Sequence, residues 1–469
     1  MKKLLLSASM LMLAGASAFA VTDGQTYETI NGFKCENLWV LDRQHTEDAF
    51  KASKLNISNG PRMIALGDNL YVGSVPEGGA ILSVFDIKTG EHKKDIALKF
   101  ENGEAYSETL CTNGLNVDEY GHVIVAPYMA NADGAGVYNV YTVDLETGIV
   151  KLAAELPAAG TAGRVDYSDI IGDITGTEAN CTIMAGTNSG ALEVFQWVLK
   201  KGTTDWVGGW TGGAFSSKVQ ATSPDGVADF GSGVSLRIVR DGSKSGDMQL
   251  FYVDGSATFP VLYGTDLAAV DKLTDADLIV KNKETGEVSG TVPSPEAGPS
   301  GICEFSVSEQ NFCAWPICQP NDGAGGSLTA ITTVNTDREF ASTKYLWTVP
   351  ADGLGTTGGI GRRHRAMATV DQKDGSVLFA VMECYNGMGV YRISKPGSVE
   401  SNVVAAANIT VNGNVIAVSE VAETIEVFNV AGQKVAEARN ASEVAAPATG
   451  AYIVKAVVAG VPVVKKVIL

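Results

Sequence analysis

Asp169, Glu304 and His364 are the residues of this chain whose types suit turnover. Two carboxylates across one cleft divide general acid and base work, and an imidazole beside them titrates near neutrality. Glu108, Asp166, Asp169 and Glu304 fall close to where short apolar stretches begin, and His364 directly precedes another. Together they define one reading, a hydrolase or lyase acting on an anionic saccharide.

A second group suits recognition instead. Arg362 to Arg365, reading Arg-Arg-His-Arg, is the densest basic run after the amino end, and Arg62 and Arg164 precede other apolar stretches at comparable places. In a chain of net charge −18, guanidinium groups such as Arg62, Arg164, Arg363 and Arg365 suit a carboxylate or sulfate on a ligand. They equally suit pairing with nearby Asp and Glu. Trp206 and Trp210 open the Gly-rich segment 206–233, where aromatic rings stack on sugar or peptide faces or else anchor the loop. The sequence contains no G-x-S-x-G elbow, no H-E-x-x-H pair and no P-loop, so binding of a glycan or protein without turnover is the leading expectation. No resident metal is implied. The runs 131–136 and 321–326 carry Asn and Asp oxygens that suit Ca2+, yet they lack the closing Glu of a calcium loop and suit turns as well.

These residues must be positioned by strands. A two-strand pattern recurs at 63–75, 115–128, 171–186, 236–253, 303–317 and 367–381: an apolar strand, a polar turn, then a more apolar strand. Third strands follow in "AILSVFDI", "VYNVYTVDL", "ALEVFQWVL", "FPVLYGTDL", "KYLWTV" and "GVYRIS", and weaker fourth strands after several of them. Four antiparallel strands per repeat predict an all-β chain built as a six-bladed β-propeller. The strand "CENLWVLDRQ" at 35–44 has no hairpin before it and is expected to complete the last blade; seven blades is the alternative if 24–60 and 384–405 combine. In "LSVFDIKTGE" and "VYTVDLETGI", Asp86 and Asp144 precede Thr-Gly and read as turn punctuation, not catalysts. The loops leading into the inner strands and those joining second to third strands share one face, which is where a ligand is expected.

Composition sets the compartment. Lys2 and Lys3, an apolar run and the small residues up to Ala20 read as a secretory signal at 1–20 cleaved near Ala20, so the expected location is secreted or on the outer surface of a bacterium. No later run is long and apolar enough for a transmembrane helix, and 53 acidic against 35 basic residues disfavours nucleic acid. The seven widely spread cysteines read as buried thiols, with a disulfide among Cys303, Cys313 and Cys318 as the alternative. The propeller is expected over 24–397, a linker over 398–405, and an Ala- and Val-rich β-sandwich over 406–469.

The last segment carries Val427-Phe428-Asn429-Val430-Ala431-Gly432, then Gly450-Ala451-Tyr452-Ile453-Val454, then Lys465-Lys466-Val467-Ile468. It resembles the carboxy-terminal sorting domains of the type IX secretion system of Bacteroidetes, with Ala431 where a polar residue is usual. The resemblance implies an export address or surface attachment module, and export machinery as its partner. The preceding repeats, with Asn37-Leu38-Trp39 and Arg62, resemble uncharacterised secreted propellers of the same bacteria and imply no activity.

Overall fold

A computed structural model describes residues 21–53, 55, 63–108, 111–127, 129–130, 137–157, 164–189, 191–208, 218–220, 235–255, 258–274, 294–295, 301–318, 328–341, 343–355, 365–384, 386–395, 409–429, 432–446, 448–458 and 461–468. Within it the chain is all-β, with one short helix, Glu47–Ala52, among the described residues. No helix there is long and apolar enough to cross a membrane. Two compact units are present, one made of residues up to Val370 with Val377–Pro396, the other of Asp371–Ser376 with Gly397–Leu469.

Among the described residues the first unit contains six antiparallel sheets, and in all but the sixth the main path of strands follows chain order. Their inner strands include Met63–Leu66, Asn116–Val117, Arg164–Gly172, Ser235–Ile238, Cys303–Val307 and Arg365–Asp371. The sixth sheet takes its outer strand from the amino end: Lys34–Asp42 pairs with Gly387–Ser394, from Lys34 opposite Ser394 to Asp42 opposite Gly387. Middle strands such as Val377–Glu383 are buried at every position, because neighbouring sheets cover both faces. Outer strands such as Val150–Pro157 alternate between buried and exposed.

Six apolar clusters fill the spaces between successive sheets. Leu82 shares a cluster with Val125, Met184 with Phe251, Tyr252 with Trp315, Phe312 with Phe379, and Val390 of the sixth sheet with Val72 of the first, while Tyr138 stacks on Trp197. The segment before the closing strand reinforces the fifth and sixth sheets: Asp23 Oδ2 accepts Tyr27 Oη at 2.7 Å and Tyr391 Oη at 3.3 Å, and Trp347 Nε1 donates to Glu28 O at 2.9 Å.

Two expectations shift. "KYLWTV" is the fourth strand of the fifth sheet, Tyr345–Val349; the third is Leu328–Val334, whose three threonines disguise a β-branched, fully buried strand as polar. Segment 206–233 is not a single loop, since Trp206–Gly208 and Lys218–Gln220 both pair with Ala191–Leu199 at the outer edge of the third sheet. Its glycines hid that strand. Six cysteines, Cys35, Cys111, Cys181, Cys303, Cys313 and Cys384, are buried free thiols.

In the second unit, Ile409–Asn412, Val415–Asn429, Lys434–Ala445, Ala451–Val458 and Val461–Ile468 form one five-stranded antiparallel sheet. The long Val415–Asn429 pairs with three of the other strands and Val461–Ile468 with Ala451–Val458, and the register against Lys434–Ala445 shifts between Ala417 and Ala422. Ile416, Ile425, Val427 and Val454, all fully buried, centre its core.

Candidate functional site

Charged side chains meet where the inner strands of the third to sixth sheets run side by side. Asp169, on Arg164–Gly172, is 2% exposed; its Oδ1 accepts Arg237 Nη1 at 3.0 Å and Arg240 Nη2 at 3.3 Å, and its Oδ2 accepts the Ile238 amide at 2.7 Å. Arg237 leaves the fourth sheet and also donates to Ile302 O at 3.3 Å and Met367 O at 3.1 Å. One guanidinium therefore ties together four sheets. Glu304, equally buried, pairs with Arg338, which also donates to Arg240 O at 3.3 Å.

The electrostatics follow from burial set against charge. Burial opposes ionisation of Asp169, but Arg237, then Arg240 and the Ile238 amide, outweigh it and hold the carboxyl below its ordinary 3.8. Burial pushes Arg240 down, and the Asp169 charge more than restores it. Arg338 is lowered by burial but still lies far above neutrality as a guanidinium. Asp169 is thus held as an anion, and Glu304, like it, is committed to an arginine partner.

The remaining expected site residues are dispersed. Arg62, Trp210, Arg363 and His364 lie outside the described residues. Arg164 and Arg365 begin the inner strands of the third and sixth sheets, with Arg164 opposite Ala130. Trp206 is half-buried against the core shared by the second and third sheets. It pairs with Leu199, which pairs with Cys181, which pairs with Gly172. Trp206 therefore sits at the opposite end of its sheet from Arg164, and the two share no face. The 131–136 and 321–326 runs also lie outside the described residues.

Sequence reading passed over Arg237, Arg240 and Arg338. The available clue was "SLRIVR", two arginines beside an inner strand whose other residues are mostly apolar.

Two histidine clusters stand apart. Asp118, His122 and Asp173 offer three metal-type donor atoms within 4.8 Å of one another. Their carboxylates already accept the amides of Tyr120, His122, Ile174, Thr175 and Glu178, closing the inner hairpin turns of the second and third sheets. His45 bridges buried Asp42, at 2.7 Å from Nδ1, and Asp352, at 3.0 Å from Nε2.

No protein-family model and no curated protein matches the chain. Among solved structures it is similar to a DUF4623 family protein from Bacteroides eggerthii at 13% identity, covering 79% of this chain and 77% of that one, TM-score 0.48. It is also similar to PorZ, a surface component of the type IX secretion system of Porphyromonas gingivalis, at 12% identity over 88% of this chain and 52% of that one, TM-score 0.34. AofleA from Arthrobotrys oligospora matches at 11% identity over 81% of this chain and 90% of that one, TM-score 0.38. At these identities and TM-scores the likeness assigns no activity.

Proposed function

We propose that the six sheets are the blades of a six-bladed β-propeller that is exported to a bacterial surface and binds a glycan or protein ligand without turnover. The blade count is supported by the six clusters, each shared by successive sheets, and by the amino-terminal strand completing the last one. The carboxy-terminal unit is an export or attachment module, a role supported by its Val427–Gly432 and Gly450–Val454 motifs.

The observation that carries the binding reading is the commitment of Asp169 and Glu304 to arginine. A hydrolytic pair needs one carboxyl able to hold a proton near neutrality and a second free to attack or activate water. Here Asp169 is a buried anion held by Arg237 and Arg240, and Glu304 is buried against Arg338, so both are committed to arginine. Recognition then falls to the strand ends where Arg164 and Arg365 begin inner strands, with Arg62 and Arg363 as further cationic groups and Trp210 as a stacking surface. Trp206, at the other end of the third sheet, is the anchor of an outer strand.

The test is binding of the full chain to glycan and peptide arrays. Wild type is expected to retain at least one ligand that Arg164→Ala with Arg365→Ala weakens at least tenfold. Equal binding by the double variant excludes this end of the sheets.

A further inference from the structure

The turn leading into the inner strand of the second sheet holds polar groups that nothing among the described residues satisfies. Residues 111–114 turn tightly, with Leu115 N donating to Thr112 O at 3.2 Å and Gly114 N to Ala126 O at 3.0 Å. Thr112 and Asn113 are both 0% exposed. Even so, Thr112 Oγ1 and both polar atoms of the Asn113 amide lack a hydrogen-bond partner. Buried amides and hydroxyls are almost always paired, because desolvation without a partner is unfavourable. Three such atoms on two adjacent residues are left for a hydroxyl from outside the chain, that of an ordered water or of a ligand.

The surroundings are close and uncharged. A Cβ on Gly73 would meet Thr112 Cβ at 2.7 Å, and one on Gly114 would meet Tyr138 Oη at 2.9 Å and Ser168 Oγ at 3.2 Å. Bare backbone therefore flanks the turn on both sides. The Tyr138 and Ser168 hydroxyls, 2.9 Å apart, stand beside Gly114. The turn also lies at the same strand ends as Arg164, which pairs with Ala130 just beyond Ala126.

An amide offers donors and an acceptor side by side, and a threonine hydroxyl adds one of each. Their complement is a neutral group that both donates and accepts, as adjacent hydroxyls of a sugar ring do. Thr112, Asn113, Tyr138 and Ser168 carry no charge to compensate a buried anion, so a neutral group fits the turn better. We infer that Thr112 and Asn113 form a subsite for a neutral saccharide, with the Asn113 amide hydrogen-bonded to two ring hydroxyls and Thr112 Oγ1 to a third group. This rests on the glycan-binding reading of these strand ends. Because the turn is enclosed in the free chain, the sugar reaches it only after local opening, and association is slower than a diffusion-controlled encounter.

The experiment is titration calorimetry of the full chain with neutral glucan, mannan, galactan and xylan oligosaccharides. It compares wild type with Asn113→Ala, Thr112→Val, Thr112→Ser and the Arg164→Ala, Arg365→Ala pair. Wild type is expected to bind at least one oligosaccharide. Asn113→Ala and Thr112→Val should each weaken it at least tenfold, while Thr112→Ser, which keeps the hydroxyl and reports on folding, stays within about threefold of wild type. A wild type that binds a saccharide which both losses leave unchanged overturns the subsite alone, and the arginine pair then decides whether the strand ends still hold the ligand. A wild type that binds none of the panel, or only peptides, overturns the subsite together with the glycan reading.

Discussion

Arg237 contacts four sheets, and its removal leaves buried Asp169 with Arg240 and the Ile238 amide as its remaining partners. Arg237→Met should destabilise the fold by less than the roughly 3–5 kcal/mol of a fully uncompensated buried charge, because Arg240 still faces Asp169. Urea denaturation monitored by tryptophan fluorescence measures it. Asp169→Asn should cost less, because the amide keeps shape and part of the hydrogen bonding. The folded Asp169 pKa lies below 3.8, so its contribution is fully present above that value and is lost as pH falls through the depressed folded pKa. The gap between wild type and Asp169→Asn should therefore be level near neutrality and close in acid. Asp169 and Glu304 were legible as carboxylates at inner strands because the hairpin pattern places those strands locally. Their partners were not, since Arg237 lies 68 positions from Asp169 and Arg338 reaches Glu304 across 34 positions from a turn.

Hairpin turns were the most legible elements, because local chemistry fixes them. Asp86 Oδ1 accepts the amides of Lys88 and Thr89, and Asp144 Oδ1 those of Glu146 and Thr147, while Gly90 at φ 70° and Gly148 at φ 73° complete the reversal. Asp144→Ala should lower the denaturant midpoint slightly and leave ligand binding unchanged. The Lys93 hydrogen bond, opposed by partial burial and aided by the turn amides, holds the Asp86 carboxyl down to about 2. The Asp42–His45–Asp352 clasp links the closing strand to the loop after the fifth sheet, and no pattern in the sequence announced it. Burial lowers the His45 pKa, but Asp42 and then Asp352 outweigh it and raise the value above 6.5. Burial likewise raises Asp42 despite the His45 hydrogen bond. A raised histidine pKa gives stability that is full below 6.5 and is lost as pH rises through the folded value. Thermal unfolding of wild type and His45→Gln should differ most on the acid side of 6.5, above the titration of Asp42, and converge as the medium becomes alkaline. The outer strand of the third sheet escaped sequence reading for the opposite reason: Trp206-Val-Gly-Gly-Trp has too many glycines to look like a strand, and pairing with Ala191–Leu199 supplies what propensity does not.

At the scale of the molecule, the first sheet and the sixth share an apolar cluster that includes Trp39 and Leu41 of the amino-terminal strand. Deleting residues 21–42 should remove that packing, leave the edge of Gly387–Ser394 unpaired, and convert a cooperative melt into a broad one with aggregation, as circular dichroism and size-exclusion chromatography would report. The repeat of hairpins made the succession of sheets readable from the sequence. Register across whole sheets is not written in the local sequence, and it is what puts Trp206 and Arg164 at opposite ends of one sheet. The central claim is that the inner carboxylates hold sheets together while recognition occurs at the strand ends. Ligand affinity of Asp169→Asn with Glu304→Gln, measured by calorimetry on protein confirmed to melt cooperatively, tests it most directly. Affinity within about threefold of wild type, with the ligand recovered intact after incubation with either protein, is the predicted result. Cleavage of the ligand by wild type that this double variant abolishes would contradict it.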